Sequence, residues 1–445
     1  MTRVRLPELP SQDEFEDYTA ALLRLGKYYV ERNLAFRDIE GILELDIVLT
    51  NYDSEQPELQ VVEVKSGDWG FPDLFKVFGW MKFLQIPKGL FIAKKDKENR
   101  DFIQKVAGEM NIDLFVIPDI SDIQGILANV LPSIPMGDFV RMDLSIWRFA
   151  CWLERCMIKH LWFKKRKDLQ LKCYSALCNY YQEINGGIFF VENIVERVDK
   201  LYSTFMNEYP HITAKTAHEL VGDDFEDEYD DIPRKIYKDT FFKCEYTDIQ
   251  ISMFIEHRAR LAILKSAVDY ILYTNAGVSA RTQDITKKNL LGFEYSLMQA
   301  LPETFKKGLE ELSSHKYFRK YPLFWQWFLW VFGGFILRDY KEQEYKILSE
   351  KTGIPEDEID NAFNCYQVLF PIDGGWFLEY PDSMVRHIKM FPVPFMGVGA
   401  NYRLFLYCEG DERAYTNLKT SGRHTVNDLV KWNNLLVTVL SYNPY

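Results

Sequence analysis

Two short apolar runs stand out in the first part of the chain because a polar segment separates them. Residues 44–49 and 61–67 are both rich in Val, Ile and Leu, which is typical of buried strands. The polar residues at 51–57 between them favour a turn. The pattern therefore predicts two adjacent strands, joined as a hairpin.

Each predicted strand carries charged residues, which a buried strand tolerates only for a reason. Asp46 lies in the first strand, and Glu63 and Lys65 lie in the second. Because side chains alternate along a strand, Glu63 and Lys65 share one face while Val64 points to the other. Carboxylates that lie close together need a cation, and hard oxygen ligands suit Mg2+ or Mn2+.

The flanking segments predict helices and further strands. Apolar residues at positions 15, 18, 22 and 25 have the spacing of one helix face, and Glu16 lies beside them. A first strand is expected at 33–39. After the hairpin, the pattern predicts a helix at 74–84, a strand at 89–93, a helix at 98–110 and a strand at 114–117. We therefore expect an α/β N-terminal domain.

The pattern changes after residues 131–137, whose prolines and glycine predict a linker. From about residue 142 to 305, leucines and aromatic residues recur at helical spacing, which predicts a mostly α-helical C-terminal region. We expect three domains, at 1–135, 139–310 and 311–445.

The last of these domains contains a segment that predicts a winged-helix module. Residues 347–366 resemble a helix-turn-helix, and a hairpin through 368–378 would form its wing. The second helix carries acidic residues at 356–360, which are a poor match for the major groove of DNA. We therefore expect the C-terminal region to bind a protein partner or a second copy of the chain.

Composition narrows the class of protein. The net charge of -12 argues against a large basic footprint on nucleic acid, but it permits an acidic centre that binds metal. The longest apolar run, 323–337, is too short to span a bilayer, so we expect it to fill a core or a subunit interface. Seven cysteines, and an N-terminus without the apolar run of a secretory signal, predict a cytoplasmic protein with no membrane contact.

Asp46, followed one hairpin later by Glu63-Val64-Lys65, resembles the motif of the PD-(D/E)XK nuclease superfamily, close to its Mrr-like restriction and Holliday-junction-resolvase branches. The resemblance extends over the predicted elements on both sides and implies a restriction-endonuclease-like fold with a mixed central sheet flanked by helices. It implies that Asp46, Glu63 and the backbone carbonyl of Val64 hold Mg2+ or Mn2+. Lys65 would then orient the attacking water or stabilise charge on the phosphate, and Glu16 would position a second ion or an outer-shell water.

Several residues near this motif have two interpretations. Glu16 is either part of the site or a solvated glutamate that complements the helix dipole. The candidate phosphate contacts are four lysines, each of which is otherwise an ordinary solvated side chain: Lys76, Lys94, Lys95 and Lys97.

The resemblance implies a metal-dependent nuclease that hydrolyses nucleic-acid phosphodiester bonds; DNA is the favoured substrate, and RNA stays open. We expect it to be the effector of a prokaryotic restriction or anti-phage defence system, with the C-terminal region controlling the nuclease. Two alternatives stay open, a structure-selective repair nuclease related to junction resolvases and a non-catalytic scaffold. The chain has no Gly-x-x-x-x-Gly-Lys-Ser/Thr run, so an ATP-driven motor would have to be a separate protein.

Overall fold

The computed structural model describes residues 6, 8–36, 43–137, 140–165, 172–191, 193–210, 248–276, 301–330, 335–337, 341–370, 377–379 and 385–388. In these ranges a mixed five-stranded sheet with flanking helices is followed by a helical region, which confirms the α/β prediction for the N-terminal part. Residues 223–231, a strongly acidic run that the sequence predicts to be a solvated loop, lie outside the described residues. No helix in the described ranges is both long enough and apolar enough to cross a membrane.

The central sheet has its five strands in sequence order. They are β1 (Tyr29–Phe36), β2 (Leu43–Asn51), β3 (Glu58–Lys65), β4 (Lys88–Ala93) and β5 (Ile112–Val116). The first three strands run antiparallel, so β2 and β3 form the predicted hairpin, whereas β3, β4 and β5 run parallel. The first strand begins at Tyr29, earlier than predicted, and residues 37–42 lie outside the described residues.

Helices cover both faces of this sheet. One face packs on α1 (Asp13–Leu25) and α4 (Ile123–Val130), and the other on α2 (Phe71–Phe83) and α3 (Arg100–Glu109). The alternation of side chains in β3 assigns its residues to these faces, because Val62 and Val64 join the first apolar cluster and Val61 joins the second.

The C-terminal region consists of helices and a small second sheet. The described helices are α5 (Val140–Lys165), α6 (Lys172–Gln182), α7 (Ile194–Pro210), α8 (Asp248–Ala276), α9 (Glu303–Ser313), α10 (Tyr321–Trp330), α11 (Lys341–Thr352) and α12 (Ile359–Leu369), with a π-helix at Glu183–Gly187 and 3-10 turns at Phe318–Lys320 and Glu356–Glu358. The short strands β6 (Phe335–Leu337), β7 (Phe377–Glu379) and β8 (Val385–Ile388) form a sheet in the order β6-β8-β7.

The sheet and the helical region share one apolar core across the predicted linker. The cluster that contains Leu22 of α1 and Val62 of β3 also contains Trp147 of α5 and Trp327 of α10. The two tryptophan rings meet edge to face, with centroids 5.1 Å apart. Residues 323–329 of the predicted apolar run are buried in this core. The domain boundaries at 135 and 310 stay predictions.

The prediction of a wing at 368–378 is wrong for its first strand. Val368 and Leu369 form the end of α12, and β7 pairs with β8 instead. The buried residues of α12 explain this difference, because their helical spacing continues without a break to the end of the helix: Ile359, Ala362, Phe363, Tyr366 and Leu369. Helix packing therefore determines the conformation at 368–369. The described elements do not establish a winged helix.

Two side-chain amides from the helical region cover the outer edge of β1. Gln326 of α10 accepts a hydrogen bond from the Val30 amide at 3.0 Å and donates to the Tyr28 carbonyl at 3.0 Å. Asn185 of the π-helix donates to the carbonyls of residues 32 and 33, at 3.2 and 3.0 Å. An open strand edge has unpaired backbone groups, so these contacts both satisfy β1 and attach it to the helices.

A buried ionic cluster reinforces the same junction. Glu154 of α5 accepts from Arg24 and Arg32 at 3.2 Å each through one carboxylate oxygen, and from Arg258 of α8 at 2.6 Å through the other. Arg32 also pairs with Asp17 of α1. Although burial raises the pKa of the Glu154 carboxyl, the guanidiniums of Arg258, Arg24 and Arg32 lower it to about 2.

We predict that Glu154→Gln lowers the free energy of unfolding by about 3–5 kcal/mol at pH 7, because three arginines lose the charge that compensates them. The folded-state pKa of Glu154 lies below its ordinary value of 4.5, so this contribution is present above about pH 4.5 and is lost as pH falls towards 2. Urea denaturation at pH 7 and pH 3 measures both effects.

The matched control is Asp113→Asn, which removes an exposed carboxylate 2.8 Å from Lys88 and should cost less than about 1 kcal/mol. If the two variants lose similar stability, the cluster on Glu154 does not hold the junction.

Candidate metal centre

The candidate site lies where β2 and β3 separate. The antiparallel register pairs Ile47 with Val62, and one further step places Asp46 opposite Glu63. At this step the Val64 amide donates to Oδ2 of the Asp46 side chain at 2.9 Å. The two acids are therefore neighbours across the hairpin, and the Asp46 carboxylate is oriented by the backbone of the strand that carries Glu63.

Glu63 is fully buried, and two lysines contact one of its oxygens. Lys65 Nζ lies 2.8 Å from Glu63 Oε1, and Lys76 Nζ of α2 lies 3.0 Å from the same atom. The other oxygen, Oε2, is buried and accepts no hydrogen bond from the described residues. A buried carboxylate oxygen without a partner is costly, so this atom is available to a ligand.

Lys65 is held in its charged form by the acids around it. Its ammonium also lies 3.7 Å from Asp73 of α2. Burial by itself lowers the pKa of Lys65, but Glu63, Asp46 and Asp73 together raise it above the ordinary value of 10.5. A permanent positive charge therefore lies beside the two carboxylates.

The electrostatic environment of Asp46 is unfavourable to its ionised form. Burial is the largest cause, and the charges of Glu63 and Glu16 add to it, while the Val64 amide and Lys76 oppose them. Together they raise the pKa of Asp46 to about 8. Without an added cation, Asp46 is mostly protonated at neutral pH.

Glu16 of α1 lies close enough to Asp46 to raise its pKa. Its own pKa is raised by burial and by the neighbouring Asp13 and Asp17, although Arg32 opposes this shift. In the described ranges, no group of three or more His, Cys, Asp or Glu side chains is arranged to hold a metal ion. The structure thus pairs Asp46 with Glu63 and leaves Glu16 beside the pair, and its role stays a prediction.

The predicted basic residues lie at the same edge of the sheet. The Lys94 amide donates to the Lys65 carbonyl at 2.8 Å, because β4 runs parallel to β3 and ends beside it. The Lys94 ammonium donates to a backbone carbonyl of the N-terminal segment at 2.7 Å, and Lys97 pairs with Asp68. Lys95 is exposed. Two of these three cations are thus engaged within the chain.

Sequence reasoning missed the neighbours that α2 supplies to the acids. Lys76 is a candidate phosphate contact by sequence, and the structure bonds its ammonium to Glu63, whereas Asp73, 3.7 Å from Lys65, is not among the residues that the sequence singles out. The available signal was the position of both residues early in the helix that directly follows β3. In a β-α unit, such residues lie near the end of the strand that precedes them.

The residues present fit a hard divalent cation. Asp46 and Glu63 offer oxygen ligands, which Mg2+ and Mn2+ prefer. A cation between them would satisfy Glu63 Oε2 and relieve the repulsion that raises the pKa of Asp46. Comparisons with protein-family models, with curated proteins and with solved structures gave no match. The positions of Asp46 and Glu63 are the observations that indicate a metal site here.

We predict that Asp46→Asn stabilises the metal-free protein above pH 8, by roughly 1–3 kcal/mol. The folded-state pKa of about 8 exceeds the ordinary value of 3.8, so the cost of ionising Asp46 develops as pH rises between these values and is complete above 8. Urea denaturation in EDTA at pH 5 and pH 9 measures this difference.

Added Mn2+ should raise the melting temperature of the wild type and leave that of Asp46→Asn unchanged. Asp113→Asn, which changes an exposed carboxylate in the same way, should still respond to Mn2+. A destabilised Asp46→Asn protein at pH 9 would show that the charge of Asp46 is well compensated without metal.

Proposed function

We propose that the N-terminal sheet carries a hydrolase for nucleic-acid phosphodiester bonds that depends on Mg2+ or Mn2+, with DNA rather than RNA as substrate. The observation that carries this proposal is the meeting of Asp46 and Glu63 at the point where two strands separate, with the Lys65 ammonium 2.8 Å from Glu63. Neighbouring carboxylates beside a charged lysine combine oxygen ligands for a cation with a positive group for a phosphate.

The residues have separate tasks in this proposal. Asp46, Glu63 and the carbonyl of Val64 would hold the cation, which when bound polarises the phosphate and makes water more acidic. Lys65 keeps its proton near neutral pH, so it donates hydrogen bonds to the attacking water or to the phosphate oxygens. Glu16 would hold an outer-shell water beside Asp46.

We also propose that the helical region controls this site through strand β1. The register pairs Arg32 with Ile47 and Leu34 with Leu45, so Asn33 lies opposite Asp46. Asn33 has a φ of 50°, a left-handed conformation that Asn adopts more readily than most residues other than glycine. This conformation interrupts the regular strand at the residue opposite Asp46, and contacts from outside the sheet fix its position.

Those contacts come from the π-helix. The Asn185 side chain donates to the backbone carbonyls of Arg32 and Asn33, and its own amide oxygen, Oδ1, accepts from Arg258 of α8. A Cβ on Gly186 would lie 2.5 Å from the carbonyl oxygen of Ala35, so the close approach of the π-helix to β1 requires glycine there. A displacement of α8 or of the π-helix would thus reach the residue opposite Asp46.

We predict that Asp46→Asn and Glu63→Gln each lower cleavage of plasmid and of single-stranded DNA at least about 100-fold with Mg2+ or Mn2+, because either change removes a charged ligand of the cation. Lys65→Met should lower cleavage as strongly, since it removes the positive charge beside the phosphate. Calorimetry should show that Lys65→Met still binds Mn2+ and that the two acid variants do not.

Lys88→Met is the control. Lys88 is exposed, pairs with Asp113 of β5, and lies at the start of β4, whereas the site lies at the end of that strand. It should cut at the wild-type rate, and EDTA should stop all cleavage. Full activity in Asp46→Asn or Glu63→Gln would refute the site.

We predict that Asn185→Ala lowers cleavage about tenfold or more through kcat, because Asn33 and hence Asp46 lose their support. Asn33→Gly in the same chain should restore part of the activity, since glycine adopts a positive φ without cost. Hydrogen exchange of the full-length chain should increase in β1 and β2 around residues 32–47 for Asn185→Ala.

Gln326→Ala is the matched control, because Gln326 covers the same strand edge at Tyr28 and Val30, away from Asn33. It should lower stability without changing kcat. Equal kinetic effects of the two variants, or no rescue by Asn33→Gly, would mean that Asn185 has only a structural role.

A further inference from the structure

Helix α2 has an unusual composition for a helix that packs on a sheet. Its apolar contact with the sheet is made by Leu74, Val77 and Met81, which are buried. Its 13 residues include five further aromatic side chains, of which Phe71, Phe78 and Trp80 are partly buried against the same core, whereas Phe75 and Phe83 are exposed. The helix also contains two lysines and a single acid, Asp73.

Two of these aromatic side chains face solvent. Phe75 is 57% exposed and Phe83 is 66% exposed. Lys76 and Lys82, which are also exposed, lie on the same outward side of the helix. Surface apolar side chains are ordinary when scattered, but a cluster of large exposed rings on one helix indicates a binding surface.

The lysines of α2 lie over aromatic rings. Lys76 Nζ is 4.2 Å from the centroid of the Trp80 ring, and Lys82 Nζ is 5.1 Å from that of Phe78. These distances are those of cation–π contacts. The surface thus offers flat apolar faces and positive charges side by side, within one helix of a protein whose net charge is -12.

This surface is continuous with the candidate metal centre. Lys76 is the residue that joins them, because its ammonium contacts both the Trp80 ring and Glu63 Oε1. In the other direction, the Phe83 ring lies 6.5 Å from that of Phe36 at the end of β1, which in turn lies 5.0 Å from Phe190 of the helical region. Helix α2 therefore contacts the candidate site through Lys76 near its start, and the aromatic rings of the helical region through Phe83 at its end.

The chemistry of this surface favours an unpaired nucleic-acid strand over other occupants. Bases stack on aromatic side chains while lysines contact the phosphates between them. A base-paired duplex offers no free base faces to Phe75 or Phe83. An apolar protein surface would cover the rings, but it would also remove water from Lys82 without supplying negative charge.

We propose that the outward face of α2, formed by Phe75, Lys76, Lys82 and Phe83, binds a single-stranded segment of nucleic acid and directs it to Asp46 and Glu63. The location beside the acids rests on the proposed hydrolase function. Binding to the helix itself is a separate property and is measured without cleavage.

The test measures binding of the full-length chain to a fluorescent oligothymidylate and to a duplex of the same length, by anisotropy in EDTA. Phe75→Ala and Phe83→Ala should each weaken single-strand binding about fivefold, the lower end of what one stacked base contributes. Duplex binding should not change. Lys82→Gln should reduce the dependence of single-strand affinity on salt, because one phosphate contact is lost.

Phe102→Ala on α3 is the control, because Phe102 is 60% exposed and its ring lies 6.0 Å from that of Phe71 at the start of α2, yet it is outside the proposed face and follows the acidic Asp101, which repels phosphates. It should bind the oligothymidylate as the wild type does. All three alanine variants remove exposed side chains, so thermal unfolding should confirm that each is folded.

Unchanged single-strand affinity in Phe75→Ala and Phe83→Ala would overturn the proposal, as would an equal loss in Phe102→Ala. Light scattering distinguishes the alternative, because a change of oligomeric state at unchanged affinity would make α2 a protein interface. If the variants lose binding but the wild type cuts nothing with Mg2+ or Mn2+, α2 is a binding surface and the hydrolase proposal is wrong. If the wild type cuts and the variants bind normally, the hydrolase proposal is supported and the binding proposal for α2 is wrong.

Discussion

The outer edge of β1, the first strand of the sheet, is the constraint on which the rest of this structure depends. A strand edge has backbone groups that need partners, and here side chains supply them from helices far along the chain. Gln326 covers the edge at one point, and Asn185 covers it at another. At the same junction, the buried carboxylate of Glu154 forms an ion pair with Arg32 of β1. The sheet is therefore completed by the helical region.

This arrangement brings the helical region close to the candidate metal centre, although none of its described residues contacts Asp46 or Glu63. Asn33 is the residue of β1 that lies opposite Asp46, and Asn185 holds its backbone. The site itself is held in an unfavourable state, because burial and Glu63 raise the pKa of Asp46. Carboxyl groups whose pKa is shifted by burial and by a neighbouring acid are common at functional sites.

Much of the N-terminal sheet could be predicted from local pattern. The hairpin, the faces of Glu63 and Val64, and the order of helices and strands follow from alternation and helical spacing, which are properties of neighbouring residues. The wing at 368–378 could not, because Val368 and Leu369 suit a strand as well as a helix. Only the packing of α12 decided between these conformations.

By itself, the sequence determined which residues of β2 and β3 are charged and which face each of the β3 residues takes, because a strand has a fixed period. Only the tertiary structure decided what surrounds them. Lys76 and Asp73 reach the acids because α2 packs over the end of β3, and Glu154 is ionised because three arginines from α1, β1 and α8 converge on it. These contacts join residues that no local period relates, so they depend on how the elements pack in three dimensions.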